Sequence, residues 1–309
     1  MTLQTESTES PGVYGLPPAE LAATPAGAIQ LSPLRPGAAA LETLGDASLP
    51  ALTMLAPPGT LERRYTMALA LRALEPGAPF TVLAPNDRGG TRIAKELKAF
   101  GCQTADTAKG HHRICVGTRP AALTGVDAAL AGGGPRFVEA IGLWSQPGIF
   151  SWDRIDPGSE MLAQHLPAMS GRGADFGCGL GYLAHAVLAS SGVQALSLID
   201  IDRRAIEAAR RNAADPRVTL RWADLRQGDE SPKGLNFVVM NAPFHDGGAE
   251  DRSLGQTFIA RAADALKVGG AAWIVANRHL PYEAMLNAKF KRVTTVVSQD
   301  GYKIFEAIR

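Results

Sequence analysis

GADFGCGLGYLAHAVLAS, Gly173 to Ser190, joins an apolar strand, a glycine turn and a helix. Asp175 stands near the strand end, and Gly177, Gly179 and Gly181 follow at alternate positions. A turn of this kind lets backbone N–H groups approach a ligand closely. Its spacing excludes two common phosphate-binding sites. A dinucleotide fingerprint needs glycine where this chain has Tyr182, and a P-loop needs Lys-Ser or Lys-Thr after the glycines. Asp-x-Gly-x-Gly-x-Gly suits instead a ligand without phosphates that carries positive charge, its amino-acid tail lying near an acid.

Working outward, ALSLIDIDRRAIEAARRNA (195–213) repeats the strand–helix pattern and puts Asp200 at a strand tip. A carboxylate there can accept from both hydroxyls of a ribose. WADL places Asp224 at the next strand end, where it can accept from an adenine amino group. Taken singly, Asp200 and Asp202 also read as helix N-caps. Together the glycine turn, the ribose acid and the adenine acid follow the chain order of a class I S-adenosylmethionine site. VTLRWADL, LNFVVMNAPF and AAWIVAN supply three further strands, and RVTTVVSQDGYKIFEAIR reads as a hairpin turning near Gln299-Asp300-Gly301. The order predicts an α/β fold, a parallel doubly wound sheet closed by an antiparallel pair.

The fourth strand ends in MNAPFHDGG, Met240 to Gly248. Ligands of such sheets bind outside the carboxyl ends of the strands, which directs Asn241 towards the cleft. An exocyclic amine on a base is a poor nucleophile because its lone pair is delocalised into the ring. The Asn241 side-chain carbonyl and the Ala242 backbone carbonyl can each take one of its N–H groups and aim the lone pair at a methyl carbon. Pro243 stiffens the turn and biases Ala242 to an extended conformation. Phe244 offers a face for stacking a base, or else packs under the loop as a core aromatic. A target base in a duplex has to be flipped out to reach it. His245 reads as a structural hydrogen-bonding group, His185 as a packed or exposed helical residue, and Cys178 as a small packing residue within the turn.

The chain's 309 residues leave room for two domains, and 46% hydrophobic with 20% charged residues describe a soluble globular protein. No apolar run reaches the roughly 20 residues of a membrane span, and the polar MTLQTESTES is unlike a signal peptide. Three widely spaced cysteines point to reduced thiols in a cytoplasmic protein and lack the pairing of a zinc site, so no metal is expected. A net charge of +1 is modest for a nucleic-acid partner. Seven arginines do crowd the stretch from Arg203 to Arg226, as a solvated helix face or as a phosphate-contacting rim. Upstream, helices are expected over 62–77 and 91–101 and strands over 80–87 and at HRICVG, with the first ~30 residues unassigned. That half is α/β without a catalytic cluster. AGGGPRF and QPGIFSWDRIDPGS punctuate the boundary between the halves.

PGIFSWDRIDPGS, DFGCGLG, NAPFHDGG and VANRHLPYE, in this order, resemble the bacterial ribosomal RNA guanine-N2 methyltransferases of the small-subunit type. The resemblance is strong from about Gln146 to Arg309 and weaker over PGTLERRYTMALALRALEPGAPFTVLAPNDRGG. It implies a catalytic methyltransferase domain over 141–309, preceded by a degenerate, cofactor-free copy of the fold over 1–140. It implies S-adenosylmethionine contacts at Asp175, Gly177, Gly179, Gly181, Asp200 and Asp224, with base recognition and catalysis at Asn241, Ala242, Pro243 and Phe244. The expected partner is ribosomal RNA or a ribosomal subunit, and a duplicated two-domain chain is expected as a monomer. One departure stands out: Ala242 replaces the first proline of the family's Asn-Pro-Pro-Phe, which predicts a looser loop. The same loop type also serves adenine-N6 and protein glutamine-N5 methylation, though glutamine enzymes usually end it in Tyr. A catalytically silent RNA-binding or assembly factor of the same fold is the reading from another class.

Overall fold

In the computed structural model, which describes residues 10–227, 231–243, 245–246, 249–250 and 252–309, the chain folds as two units. The first takes the described residues up to Pro135 with Gln146–Gly148, and the second takes Arg136–Ser145 with Ile149–Arg309.

The first unit contains β1 (Gly12–Tyr14), β2 (Ile29–Gln30), β3 (Leu52–Leu55), α1 (Thr60–Ala73), β4 (Pro79–Pro85), α2 (Gly90–Ala99), β5 (Thr104–Lys109), β6 (His112–Thr118) and α3 (Val126–Gly133). Its sheet runs β2-β1-β3-β4-β6-β5, parallel from β2 to β4 and antiparallel across β4, β6 and β5. The helices and strands expected from the apolar pattern form within a few residues of their expected ends. The unassigned N-terminal stretch supplies β1, whose three residues pair with Leu52–Met54. A side chain at Gly12 would collide with Leu31 and Leu52, at 2.8 and 2.9 Å. Arg63 on α1 is fully buried and forks onto Glu96 of α2, Nε to Oε2 at 2.7 Å and Nη2 to Oε1 at 2.9 Å.

In the second unit, β7 (Arg136–Val138) and β8 (Leu143–Ser145) form an antiparallel ribbon, followed by α4 (Pro157–His165). The main sheet is built from β9 (Gly171–Phe176), α5 (Tyr182–Leu188), β10 (Val193–Asp200), α6 (Arg203–Asn212), β11 (Val218–Trp222) and β12 (Leu235–Asn241). A small pair, β13 (His245–Asp246) and β14 (Ala249–Glu250), follows. Then come α7 (Arg252–Ala265), β15 (Leu266–Asn277), α8 (Glu283–Lys289), β16 (Arg292–Gln299) and β17 (Tyr302–Ile308). The sheet order is β11-β10-β9-β12-β15-β17-β16, with β17 antiparallel to both β15 and β16. This is the expected parallel sheet closed by an antiparallel hairpin.

Central strands covered on both faces need apolar residues throughout, and β12 and β15 meet that with FVVM and AAWIVA. Between β9 and β12 the layers touch closely: a side chain at Gly173 would lie 2.1 Å from the ring of Phe237, its cross-strand partner. The order of connection reverses at β9, which has β10 on one side and β12 on the other. Such a reversal opens a crevice at the carboxyl ends of the strands. Asp200 and Asn241 both lie at those ends, flanking the glycine turn. Among the described residues, no helix is long and apolar enough to cross a membrane.

Candidate active site

The turn after β9 is built around three glycines with positive φ: Gly177 (73°), Gly179 (52°) and Gly181 (79°). Nothing lies within 4 Å of a Cβ built on Gly179, so conformation and not crowding selects glycine there. The amides of Gly177 and Cys178 donate to the carbonyl of Ile199, at 2.9 and 3.1 Å. The amide of Gly179 donates to Asp200 Oδ2 at 2.8 Å, and that of Asp202 to Oδ1 at 2.9 Å. Asp200 therefore ties the turn to the tip of β10 with one lone pair from each oxygen, leaving others for a ligand.

Burial pushes Asp200 up to about 6, with the charge of Asp202 adding to it and the amides of Asp202, Gly179 and Ile201 opposing. Asp175 is fully buried behind the turn, and among the described residues neither of its oxygens meets a donor. Burial first, then the charge of Asp200, pushes it up to about 8. Of the residues expected to contact the cofactor, Asp175 and Gly181 are not on the wall of the cavity described below. Asp175 lies inside β9, between register partners Leu198 and Val239, one residue short of the strand end. Cys178 is buried, its thiol pushed up by burial and by Asp200 and Asp175, in line with a packing role.

A cavity of about 290 Å³ opens beside the turn. Gly177, Gly179, Asp200, Asp224, Asn241 and Phe258 are on its wall, which is mostly apolar. Asp224 is clamped by Arg226, with Nε at 2.8 Å from Oδ1 and Nη2 at 2.8 Å from Oδ2, and it also accepts from the Arg226 amide. The same Asp-x-Arg clamp recurs at Asp202 with Arg204 and at Asp215 with Arg217. Four of the seven arginines noted above thus stand in local ion pairs, Arg210 with Glu207 being the fourth. Arg203 and Arg211 lie over the rings of Trp222 and Trp144. The stretch is thus largely neutralised by its own acids, with the Arg204–Asp202 pair buried.

Asn241 ends β12 with its amide group anchored: Nδ2 donates to Asp156 Oδ2 at 2.7 Å and to Ser159 Oγ at 3.0 Å. A carboxylate only accepts, which fixes Nδ2 on that side and leaves Oδ1 as the amide's remaining polar atom. Asp156 and Ser159 belong to Asp156-Pro157-Gly158-Ser159, which opens α4. Asp156 caps the helix by accepting from the Ser159 amide at 2.8 Å, and Pro157 takes the first turn. Neither residue was among the expected site residues. Asp followed by Pro is a helix-start signal that could have marked this segment, but nothing in the sequence gives its proximity to Asn241, 85 positions away.

Ala242 is buried, and its amide donates to the carbonyl of Val275 at 2.9 Å. A proline has no N–H to give. The loosening expected from the lost ring is thus offset by a hydrogen bond that continues the β12–β15 ladder. Pro243 lines the cavity. Phe244 lies outside the described residues, while the backbone of His245 and Asp246 pairs with β14. His185 is exposed on α5. Among the described residues there is no cluster of three or more metal-ligating side chains.

The relatives bear on what this arrangement does. The curated protein named ribosomal RNA small subunit methyltransferase C from Shewanella sediminis is 38% identical over 161 residues, 51% of this chain and 46% of its own length. Its counterpart from Shewanella baltica is 36% identical over 158 residues, with the same coverage. The match thus spans about half the length of these relatives. Among solved structures, the T. thermophilus 16S rRNA N2 G1207 methyltransferase (RsmC), in complex with AdoMet and guanosine, superposes with a TM-score of 0.72. That superposition covers 88% of this chain and 76% of the other at 20% identity, and it establishes the fold of both units, an N-terminal methyltransferase-like domain before the second one. The family model described as methyltransferase small domain matches residues 140–306, more than half of the chain and all but the last two strand residues of the sheet that carries the site. The chain belongs to the methyltransferase small domain family.

Proposed function

We propose that the protein methylates the N2 exocyclic amine of a guanine in small-subunit ribosomal RNA, with S-adenosylmethionine as donor. The observation that carries this reading is Asn241: an amide anchored through its nitrogen at a strand end, on the wall of a cavity that begins at a glycine turn. The relatives named small-subunit methyltransferases support a ribosomal RNA substrate, and the T. thermophilus 16S rRNA N2 G1207 methyltransferase of the same fold supports guanine N2 over adenine N6 or a protein amide.

The residues present fit the cofactor. Asp200 offers acceptors at one end of the apolar cavity, and among the described residues Asp175 has no partner to balance it. Asp200 keeps acceptor capacity beyond its two amide donors where it meets the cavity, which suits the hydroxyl donors of a ribose. When bound, S-adenosylmethionine supplies a methyl group on a sulfonium, the leaving group being a neutral thioether. On this reading Gly177 and Gly179 let the backbone close on the ligand, Asp200 accepts the ribose hydroxyls, and Asp224, steadied by Arg226, faces the adenine end. Asn241 Oδ1 and the Ala242 carbonyl take the two N–H groups of the guanine amine and turn its lone pair towards the methyl carbon. The nitrogen gains the methyl and gives up one proton to solvent, for which no strong base is needed because the alkylated amine is acidic.

The test is transfer of labelled methyl from S-adenosylmethionine to separated ribosomal subunits and to their deproteinised RNAs, followed by nucleoside identification. N2-methylguanosine in small-subunit RNA is the expected product. N6-methyladenosine, or label confined to protein, would overturn the guanine assignment.

A further inference from the structure

The Asp-Pro-Gly-Ser segment at the start of α4 is explained only in part by helix capping. Its two polar side chains also saturate the Asn241 amide nitrogen: one proton goes to Asp156 Oδ2 and the other to Ser159 Oγ. The segment is itself held in place. Asp156 Oδ2 takes the Ser159 amide as well, and a side chain at Gly158 would lie 2.8 Å from the ring of Tyr302, so the first turn of α4 sits directly against β17. Asn241 thus has two anchored N–H groups, one of them charge-assisted, and among the described residues nothing engages its remaining polar side-chain atom, Oδ1.

We propose that Asp156 and Ser159 are positioning residues that hold Asn241 as an acceptor-only group, and that this restricts the reacting substrate group to a hydrogen-bond donor, an exocyclic amine. The inference rests on the methyltransferase reading above and deepens it. An unanchored asparagine can turn over and present either N–H or C=O, and so accommodate a base carbonyl or ring nitrogen as readily as an amine. With both protons committed to the protein, turning over would leave Asp156 facing the amide oxygen, acceptor against acceptor, and lose the charge-assisted hydrogen bond, even if the Ser159 hydroxyl turned to donate. Donation to a carboxylate also draws electron density through the amide onto Oδ1, which strengthens it as an acceptor. A base presenting only a carbonyl at this point would meet a lone pair and be rejected.

Two measurements test this. The first is NMR on protein labelled with 15N at asparagine, the Asn241 side-chain signal being assigned by its loss in Asn241→Ala. Wild-type Nδ2 protons are expected to exchange with solvent at least ~10-fold more slowly than those of a free amide, and protection should disappear in Asp156→Ala. Free-amide exchange in the wild type would overturn the proposal whatever the activity. The second is single-turnover methyl transfer to small-subunit RNA at saturating S-adenosylmethionine. Asp156→Ala is expected to lose ~100-fold in rate and Ser159→Ala ~10-fold, each with cofactor affinity within ~3-fold of wild type. Ser159→Thr, which keeps the hydroxyl, should recover most of the rate. Residues that act as one unit are not additive, so Asp156→Ala combined with Asn241→Ala should be no slower than Asn241→Ala alone. Multiplying defects would reduce Asp156 to a helix cap and overturn the proposal. Asp156→Asn, which can keep both the cap and an acceptor oxygen, guards against a folding defect: it should fall between wild type and Asp156→Ala. If the wild type transfers no methyl while Asn241 is protected, the methyltransferase reading fails and takes the substrate half of the proposal with it.

Discussion

At the scale of single residues, the half-buried Asp200 and the fully buried Asp175 act in different ways. Asp200 accepts two amides and has lone pairs left for a ligand, so on the proposed methyltransferase reading its ionised form is the binding form. Its carboxyl sits near 6 in the free protein. Hydroxyl donors from a ribose favour the carboxylate, so affinity for S-adenosylmethionine should be flat above pH ~7. Below pH ~6 it should fall by up to ~10-fold per unit. Calorimetric titration across pH 5–8 checks this, and Asp200→Asn should bind more weakly with no such fall. Asp175 concerns stability. Its folded value of about 8 stands above the ordinary 3.8, so the unfolded chain releases this proton first and stability falls as pH rises from ~4 to ~8. Melting curves should show a steeper loss between pH 5 and 8 for the wild type than for Asp175→Asn; parallel slopes would refute it. The sequence made the glycines, Asp200 and Asn241 legible because each follows a strand end. It gave no sign that Asp175 would be sealed behind the turn, because one step along a strand reverses the side chain's face. Nor did it show Ala242 replacing a ring's restraint with a hydrogen bond to Val275.

Secondary-structure elements were legible where the apolar pattern was long. β12, β15 and the β16–β17 hairpin read directly from LNFVVM, AAWIVAN and the two alternating runs about Asp300-Gly301. β1 was not legible, because three residues in a Pro- and Gly-rich stretch become a strand only through pairing with Leu52–Met54. The start of α4 was read only as a Pro- and Gly-rich boundary segment, since its contact with Asn241 depends on a partner on a distant strand. Packing between elements gives a sharp test at Gly173, where a methyl group would enter the Phe237 ring. Gly173→Ala should cost about 1–3 kcal/mol through overpacking of β9 against β12, read as a lower urea midpoint at unchanged slope. An unchanged midpoint would mean that the two strands yield more readily than their register implies.

At the scale of the whole molecule, each unit carries its own core, and the first is pinned by a buried charge pair. Arg63 is fully buried and Glu96 is 4% exposed, so removing Arg63 leaves this carboxylate only the half-exposed Arg64, whose Nε lies 3.3 Å from Oε1. Arg63→Leu should destabilise that unit by about 3–5 kcal/mol in denaturant melts, whereas a loss below 1 kcal/mol would show that Glu96 finds water or a proton at little cost. The near-neutral composition, +1 overall, is also explained at this scale. Much of the arginine excess around α6 and β11 is neutralised by aspartates two positions upstream, a local arrangement that net charge alone conceals. The claim on which the functional reading turns is that Asn241 meets the amine. The direct measurement is formation of N2-methylguanosine in small-subunit RNA by the wild type and by Asn241→Ala, compared at equal S-adenosylmethionine occupancy. A loss of ~100-fold or more in the variant, with cofactor binding retained, is expected. Equal rates would contradict the assignment and place the amine elsewhere on the cavity wall.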